Sequence, residues 1–150
     1  MGVDTIDLNI LKYLQENARL SNQELAEKVN LSTSACHRRV KILEEKGIIE
    51  RYQARVNYEK LGIQVFAIVE IKLLQLTENH HQDFLEQICD FEEVINAFII
   101  TGDKNYVLFI ATKDLNSFSE FVINKLNKIK GISEINSKII LDTIMKKQIF

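Results

Sequence analysis

Residues 21–47 have the sequence SNQELAEKVNLSTSACHRRVKILEEKG. Ser21 and Glu24 form a capping box, which predicts that a helix begins directly after Ser21. The helical pattern then breaks briefly, and a further helix follows, with Ser32 as its N-cap and Gly47 as the residue that terminates it. Two helices joined by a turn of three to four residues are typical of the helix-turn-helix motif.

The segments on either side of this stretch extend the pattern. Residues 4–16 place apolar side chains at the spacing of an amphipathic helix, which would precede the two others. After the last helix, residues 48–56 have the composition of an extended segment. Residues 58–62, YEKLG, have the character of a connector, so we predict a winged-helix-like domain over residues 1–50 and an extended linker over residues 51–62.

The second helix of the motif offers a surface for DNA. If Cys36, Val40 and Leu43 face the interior, the polar side chains at its N-terminal end face outward, where this motif meets bases and phosphates. The candidate DNA-binding residues are Ser32, Thr33, Ser34, His37, Arg38, Arg39 and Lys41. Arg39 flanks the apolar stripe, so two roles stay open for it, bracing the motif or contacting a phosphate. The alternative for the whole face is an ordinary solvated helix.

The charge distribution agrees with this assignment. All five arginines lie before residue 56, and residues 1–62 carry ten basic and nine acidic side chains, a net charge of +1. Residues 63–150 carry nine basic and twelve acidic side chains, a net charge of −3, with lysine as the only cation. Because arginine suits bidentate recognition of phosphate and guanine, this bias favours nucleic acid as the partner of the first part.

Beyond residue 62 the pattern changes to strands alternating with helices. Runs rich in β-branched and aromatic residues predict strands at residues 65–74, 94–100, 105–112 and 134–142. Thr77 and Asp114 are placed to cap the two helices between them. The predicted order is β-α-β-β-α-β, so residues 63–150 should form a ferredoxin-like domain and the whole chain an α+β protein.

The strand at residues 65–74, VFAIVEIKLL, is apolar on both faces. Two helices can cover only one face of a four-stranded sheet. An exposed apolar face commonly marks a contact with another subunit, so we expect at least a homodimer. A two-fold pair of recognition helices would also span half-sites about 34 Å apart on DNA.

Other classes of protein find little support. No Ser/His/Asp set, paired catalytic carboxylates or phosphate-binding glycine loop is visible, so we expect no catalytic residues and no enzyme activity. The two cysteines and the adjacent pair His80 and His81 match no metal-ligand spacing, so no metal and no cofactor are expected. No run approaches the roughly 18 apolar residues of a membrane helix. The N-terminus lacks the pattern of a secretory signal, so we expect a cytoplasmic protein with no membrane partner.

Three segments together resemble the Lrp/AsnC, or feast/famine, family of transcription regulators. They are DTIDLNILKYLQENARLSNQELAEKVNLS at residues 4–32, RRVKILEEKGIIERYQARV at 38–56 and TGDKNYVLFI at 101–110. Each string is weak alone, but their order and the predicted elements between them fit nearly the whole chain. One departure is Asn105, which stands where the family commonly has aspartate.

The resemblance implies a small effector near the turn at residues 101–105. Asp103 would neutralise the ammonium group of an amino acid, while Thr101 and exposed N–H groups of the turn would bind its carboxylate. The candidate effector-binding residues are Thr101, Gly102, Asp103 and Asn105. The alternative is a plain hairpin turn, in which Gly, Asp and Asn are the usual residues.

We therefore predict a regulator that binds specific sequences of double-stranded DNA and responds to an amino acid or related small effector. The resemblance further implies that homodimers assemble into an octamer. Two alternatives remain. The chain could be an architectural protein that wraps DNA without an effector, or a metabolite-binding or enzymatic ferredoxin-like module whose helical part contacts protein.

Overall fold

Three helices form the first unit of the chain: α1 (Thr5–Glu16), α2 (Asn22–Lys28) and α3 (Thr33–Glu45). The structure, a computed structural model, describes residues 2–75 and 77–144. Within these residues the chain divides into two units, one ending at Val56 and the other spanning Asn57–Ile144. The division falls inside the predicted linker at residues 51–62. The last six residues of the predicted second domain, 145–150, lie outside the described residues.

A side-chain cap begins each of the three helices. Asp4 accepts a hydrogen bond from the Asp7 N–H at the start of α1, over 2.9 Å. Ser21 accepts one from the Glu24 N–H at the start of α2, and the Glu24 carboxylate accepts one from the Ser21 N–H, which confirms the predicted capping box. Ser32 caps α3 as predicted. These caps satisfy N–H groups that have no partner inside the helix.

The turn between α2 and α3 depends on Asn30. Its φ angle is 55°, in the left-handed region that few residues other than Gly, Asn and Asp adopt readily. The Leu31 N–H then reaches back to the Ala26 carbonyl over 2.9 Å, and the Asn30 N–H points to the Glu27 carbonyl over 3.4 Å. This pair of bonds is the Schellman arrangement, which ends α2 and turns the chain into α3.

A small apolar core holds the three helices together. Cys36, Val40 and Leu43 are buried on one face of α3, as the spacing predicted. They pack with residues of the two other helices, which are Ile10, Leu25 and Ala26. Partly buried side chains, including Leu14 and Ile49, surround this cluster.

The second unit is a four-stranded antiparallel sheet with helices in the predicted β-α-β-β-α-β order. The elements are β1 (Val65–Leu73), α4 (Glu78–Cys89), β2 (Val94–Ile99), β3 (Tyr106–Thr112), α5 (Leu115–Asn124) and β4 (Ile132–Ile139). Across the sheet the strands lie in the order β2-β3-β1-β4. Thr77 and Asp114 cap α4 and α5 as predicted. The chain is therefore an α+β protein with a ferredoxin-like second unit.

The strand register shows which sheet face the helices cover. Ala67, Val69 and Ile71 of β1 are almost fully buried and pack with Phe84 of α4 and Phe121 of α5. The intervening side chains of β1 lie on the opposite face, which none of the described helices covers. As predicted, the helices cover only one face of this strand. Only the side chains on that face belong to the core of the unit.

The last strand differs from its predicted bounds. It runs over Ile132–Ile139 rather than residues 134–142. The register against β1 shifts by one residue between Lys72 and Leu73, so that Lys72 pairs with Glu134 and Leu73 pairs with Ile132.

None of the helices in the described part of the chain has the length and apolar character needed to cross a bilayer.

Candidate DNA-binding and effector sites

The outer face of α3 presents the predicted DNA-binding residues to solvent. Thr33, Ser34, His37, Arg38 and Lys41 are all exposed. Ser32 is exposed as well, but its hydroxyl accepts from the Ala35 N–H and lies 3.3 Å from the Ser34 hydroxyl. Its side chain therefore begins the helix that carries the others. The face combines two cations, an imidazole and short hydroxyls, which suits close approach to phosphates and base edges.

Arg38 and Lys41 keep their charges available for a partner. Within the described residues, Arg38 makes no ion pair, and Lys41 has one distant contact, 3.7 Å from Glu45 one helical turn away. Both side chains of that pair are mostly exposed, so solvent screens their attraction and the pair contributes little to folding. Replacing Glu45 by a DNA phosphate as the partner of Lys41 would therefore cost the folded chain little stability.

Arg39 lies beside Arg38 but has different surroundings. Its guanidinium group contacts the carboxylates of Asp4 and Asp7, each over 2.8 Å, and so links α3 to the first turn of α1. The Asp7 N–H and the Arg39 guanidinium hold the pKa of the Asp4 carboxyl below its ordinary value. Of the two roles open to Arg39, these contacts support bracing of the motif. We set Arg39 apart from the residues proposed to contact DNA.

The turn at residues 101–105 connects β2 to β3. The Ile100 N–H donates to the Asn105 carbonyl over 2.9 Å and closes the hairpin. Gly102 has a φ angle of 118°, which side-chain-bearing residues rarely adopt. In the part of the chain that the structure describes, the N–H groups of residues 101–104 have no acceptor. Thr101 is exposed beside them. The turn therefore offers several free donors.

Asp103 lies in a cluster of four charged side chains. Lys72 and Lys104 contact its carboxylate over 3.2 and 3.1 Å. Glu134 of β4 contacts Lys104 and lies 3.9 Å from Lys72. Hydrogen bonds from Lys104 and then Lys72 lower the pKa of Asp103, so its carboxylate is ionised at neutral pH. The cluster presents both signs of charge within a few ångströms.

Asn105 has a structural role in this turn. Its side-chain oxygen accepts from the Leu73 N–H over 2.8 Å, and its own N–H donates to the Ile71 carbonyl over 2.9 Å. The side-chain bond satisfies the Leu73 N–H where the register of β1 against β4 shifts. Because its amide oxygen is occupied, Asn105 contributes to the site by shaping the turn.

The sequence-based prediction missed three members of the cluster, Lys72, Lys104 and Glu134. Lys104 lies within the predicted turn, but nothing in its spacing separates it from other exposed lysines. Lys72 and Glu134 are brought together only by the pairing of β1 with β4, in which they are direct partners. Within the described residues, no group of three or more His, Cys, Asp and Glu side chains is arranged to hold a metal ion.

Comparisons with known proteins identify a related family for each of the two units. Residues 3–50 match a family model described as winged helix-turn-helix DNA-binding, and residues 66–149 match the Lrp/AsnC ligand binding domain. The chain is 39% identical over 145 residues to the transcriptional regulator AzlB of Bacillus subtilis, covering 95% of this chain and 92% of that protein. It is 38% identical to the Bkd operon transcriptional regulator of Pseudomonas aeruginosa, covering 95% and 94% respectively.

Solved structures show the same fold. The chain superposes with a TM-score of 0.92 on the transcriptional regulator NMB0573 of Neisseria meningitidis in its L-Met complex, at 34% identity, covering 97% of this chain and 94% of that one. Escherichia coli AsnC gives a TM-score of 0.91 at 26% identity, covering 99% of each chain. All four of these similar proteins are known as transcriptional regulators or by the name AsnC, and none has an enzyme's name.

The two neighbouring arginines of α3 should respond differently to substitution. We expect Arg39→Ala to lower the melting temperature at neutral pH, because Asp4 and Asp7 lose their common partner. Arg38→Ala should leave it unchanged. The pKa of Asp4 is lowered in the folded chain, so its stabilising contribution is full above its ordinary pKa and is lost as pH falls through the folded value.

Thermal unfolding of both variants and the wild type at neutral pH and near pH 3 measures this effect. The stability difference between Arg39→Ala and the wild type should shrink at acid pH. Equal melting temperatures for all three proteins at neutral pH would show that the ion pairs do not brace the unit.

Proposed function

Because the chain belongs to the Lrp/AsnC family of transcriptional regulators, we propose that it binds specific sequences of duplex DNA and responds to an amino acid. The observation that carries the first part is the exposed face of α3, where Arg38 has no ion-pair partner among the described residues. A cation held on a rigid helix without an internal partner is available to an external anion. In a helix-turn-helix motif that anion is DNA.

The recognition mechanism follows from the rotation of α3. Its buried stripe fixes which side chains face outward, so Thr33, Ser34, His37, Arg38 and Lys41 would meet the major groove together. Arg38 can form a bidentate pair with guanine or phosphate, while the short hydroxyls permit close approach of the helix. Contacts with phosphates set affinity and position, and contacts with base edges set the preferred sequence.

The second unit would bind the effector at the turn of residues 101–105. A free amino acid carries an ammonium and a carboxylate group close together, and the turn has both signs of charge at that scale. Asp103 would contact the ammonium group, and the free N–H groups of the turn, with Thr101, would contact the carboxylate. The similar Neisseria regulator is described as a complex with L-Met, which supports an amino acid as the class of ligand.

The uncovered face of the sheet supports a homodimer. Ile68 of β1 lies there beside Phe109 of β3, and Phe98 of β2 packs edge-on against Phe109 at 5.9 Å between ring centroids while remaining 47% exposed. Burial of these side chains against a second copy would remove apolar surface from water. We extend the proposal to a dimer on this face and, from the family resemblance, to an octamer made of four dimers.

An architectural DNA-wrapping protein without an effector remains the alternative function. The two functions share the DNA-binding face and differ at the charged turn, so measurement of effector binding separates them.

The cytoplasmic location expected from the sequence stays a prediction. It is consistent with the proposed function, because a transcription regulator needs access to the chromosome.

The first prediction concerns α3. The double substitution Arg38→Ala and Lys41→Ala should weaken DNA binding and flatten its dependence on salt, because fewer counterions are released from the duplex. Folding should be retained, since neither side chain is buried. Fluorescence anisotropy with a labelled duplex at several salt concentrations measures both quantities. An unchanged affinity and slope would refute the assigned orientation of α3.

The second prediction concerns Asp103. The substitution Asp103→Ala should lower effector affinity by roughly ten- to a hundredfold, because a charge-assisted hydrogen bond to the ammonium group is lost. DNA binding without effector should be nearly unchanged. Calorimetric titration of the twenty amino acids, L-methionine first, measures the affinity for each protein. Equal binding of an effector to both proteins would reduce the turn to a plain hairpin.

The third prediction separates the two faces of β1. Ile68→Glu places a charge on the uncovered face and should produce a folded monomer. Val69→Glu places a charge in the core, where an unpaired carboxylate is costly, and should unfold the unit. Sedimentation velocity gives the assembly state, and circular dichroism gives the folded state. A wild-type protein that sediments as a stable monomer at micromolar concentration would contradict the dimer.

A further inference from the structure

A groove in the first unit collects the three arginines that lie outside α3. It is a cavity of about 600 Å³ between the C-terminal end of α1 and the segment after α3. Arg19 comes from the turn that follows α1, and Arg51 and Arg55 come from the segment that follows α3. All three side chains are exposed. The first unit therefore concentrates most of its arginine in one place apart from the recognition helix.

These arginines differ from Arg39 because no carboxylate of the described residues forms an ion pair with them. Within the described residues, none of the three has a carboxylate within ion-pair distance, although Glu16 and Glu50 also line the groove. Arg39, in contrast, contacts two carboxylates. Guanidinium groups without an internal partner are available to an external anion, and their planar fork matches the oxygens of a phosphate.

The groove adjoins the outer face of α3. A second cavity of about 290 Å³ is lined by His37 and Lys41, two of the residues proposed to meet DNA. Leu14, Ala18 and Tyr52 line both cavities. The arginine groove and the recognition face are thus neighbouring parts of one surface of the first unit.

Tyr52 holds the segment that carries two of the arginines. Its hydroxyl donates to the Glu44 carboxylate of α3 over 2.7 Å. Burial, with the neighbouring Glu44, raises the pKa of Tyr52 to about 12, so the hydroxyl remains a donor at neutral pH. This bond fixes the residue next to Arg51 against the recognition helix.

We propose that Arg19, Arg51 and Arg55 form a second DNA-contacting surface, which binds the phosphate backbone beside the sequence that α3 contacts. This inference rests on the proposed function, since it takes duplex DNA as the ligand. The occupant follows from charge complementarity and from continuity with the recognition face. Contacts of this kind add affinity and position the protein, but they carry no sequence preference of their own.

The test uses the full chain and two duplexes of about 30 base pairs, one of random sequence and one enriched by selection from a random library. Arg51→Gln with Arg55→Gln should lower the steepness of log affinity against log salt concentration by about two for each bound protomer, and so by about four for a bound dimer, since each lost phosphate contact removes about 0.9. The loss should be equal for both duplexes. Arg38→Ala with Lys41→Ala should flatten the salt dependence as well, but it should also reduce the preference for the selected duplex.

A matched control keeps the change in net charge the same. Lys60→Gln with Lys130→Gln removes two exposed lysines of the second unit and should leave affinity and slope as in the wild type. Arg51→Lys with Arg55→Lys keeps both charges and should largely retain the slope. Circular dichroism melting of each variant confirms that the first unit is folded before binding is measured.

The outcomes separate the two claims. If the wild type binds neither duplex, the proposed function itself is wrong. If the wild type binds and the Arg51/Arg55 glutamine variant keeps its affinity and slope, only the second surface is refuted. A variant that loses assembly in sedimentation but retains its salt slope would mark the groove as a contact between copies, which also overturns the inference.

Discussion

The burial of one stripe of α3 is the constraint on which the DNA-binding chemistry depends. Successive residues of a helix are separated by about 100° around its axis, so fixing Cys36, Val40 and Leu43 in the core fixes the direction of every other side chain. Arg38 then points to solvent, whereas Arg39 reaches the carboxylates on α1. Two adjacent residues of the same type thus acquire different roles from packing alone. A polar substitution in the stripe should therefore disturb DNA recognition without changing any residue that is proposed to contact DNA.

The same logic applies to the second unit, with a period of two in place of 3.6. The side chains of β1 on the face opposite Val69 are not covered by a helix of residues 2–75 or 77–144. This face has an apolar part and a charged part. Ile68 lies in its apolar part, while Lys72 belongs to the charged cluster with Asp103 and Glu134. An apolar area favours close packing with a partner, and a cluster of mixed charge is better suited to a small zwitterion. One strand therefore contributes to both proposed activities.

Local signals in the sequence were sufficient for much of this architecture. The caps of α2 and α3, the buried stripe of α3 and the β-α-β-β-α-β order all depend on residues within a few positions of one another. What could not be predicted depends on pairing between distant segments. The partners of Arg39 are 32 and 35 residues away, and Lys72 meets Glu134 only through the register of two strands. Because β1 is apolar on both faces, alternation alone also could not show which face the helices cover. The role of Asn105 arises at a register shift that no periodicity encodes.

The number of arginines in the first unit therefore does not show which of them are available to DNA. That requires the partner of each charge to be known. A guanidinium group already bound to two carboxylates, as in Arg39, is neutralised within the protein, so it adds stability and would displace few of the cations condensed on DNA. An uncompensated group, such as Arg38 or Arg51, adds little to folding and, if it contacts a phosphate as proposed, adds a full increment to the salt slope. The slope of affinity against salt thus counts the cations that contact phosphates, and these come from the cations that folding has left without a partner. Composition gives only their sum, which is why the near-neutral charge of the first unit is compatible with a strongly salt-dependent surface.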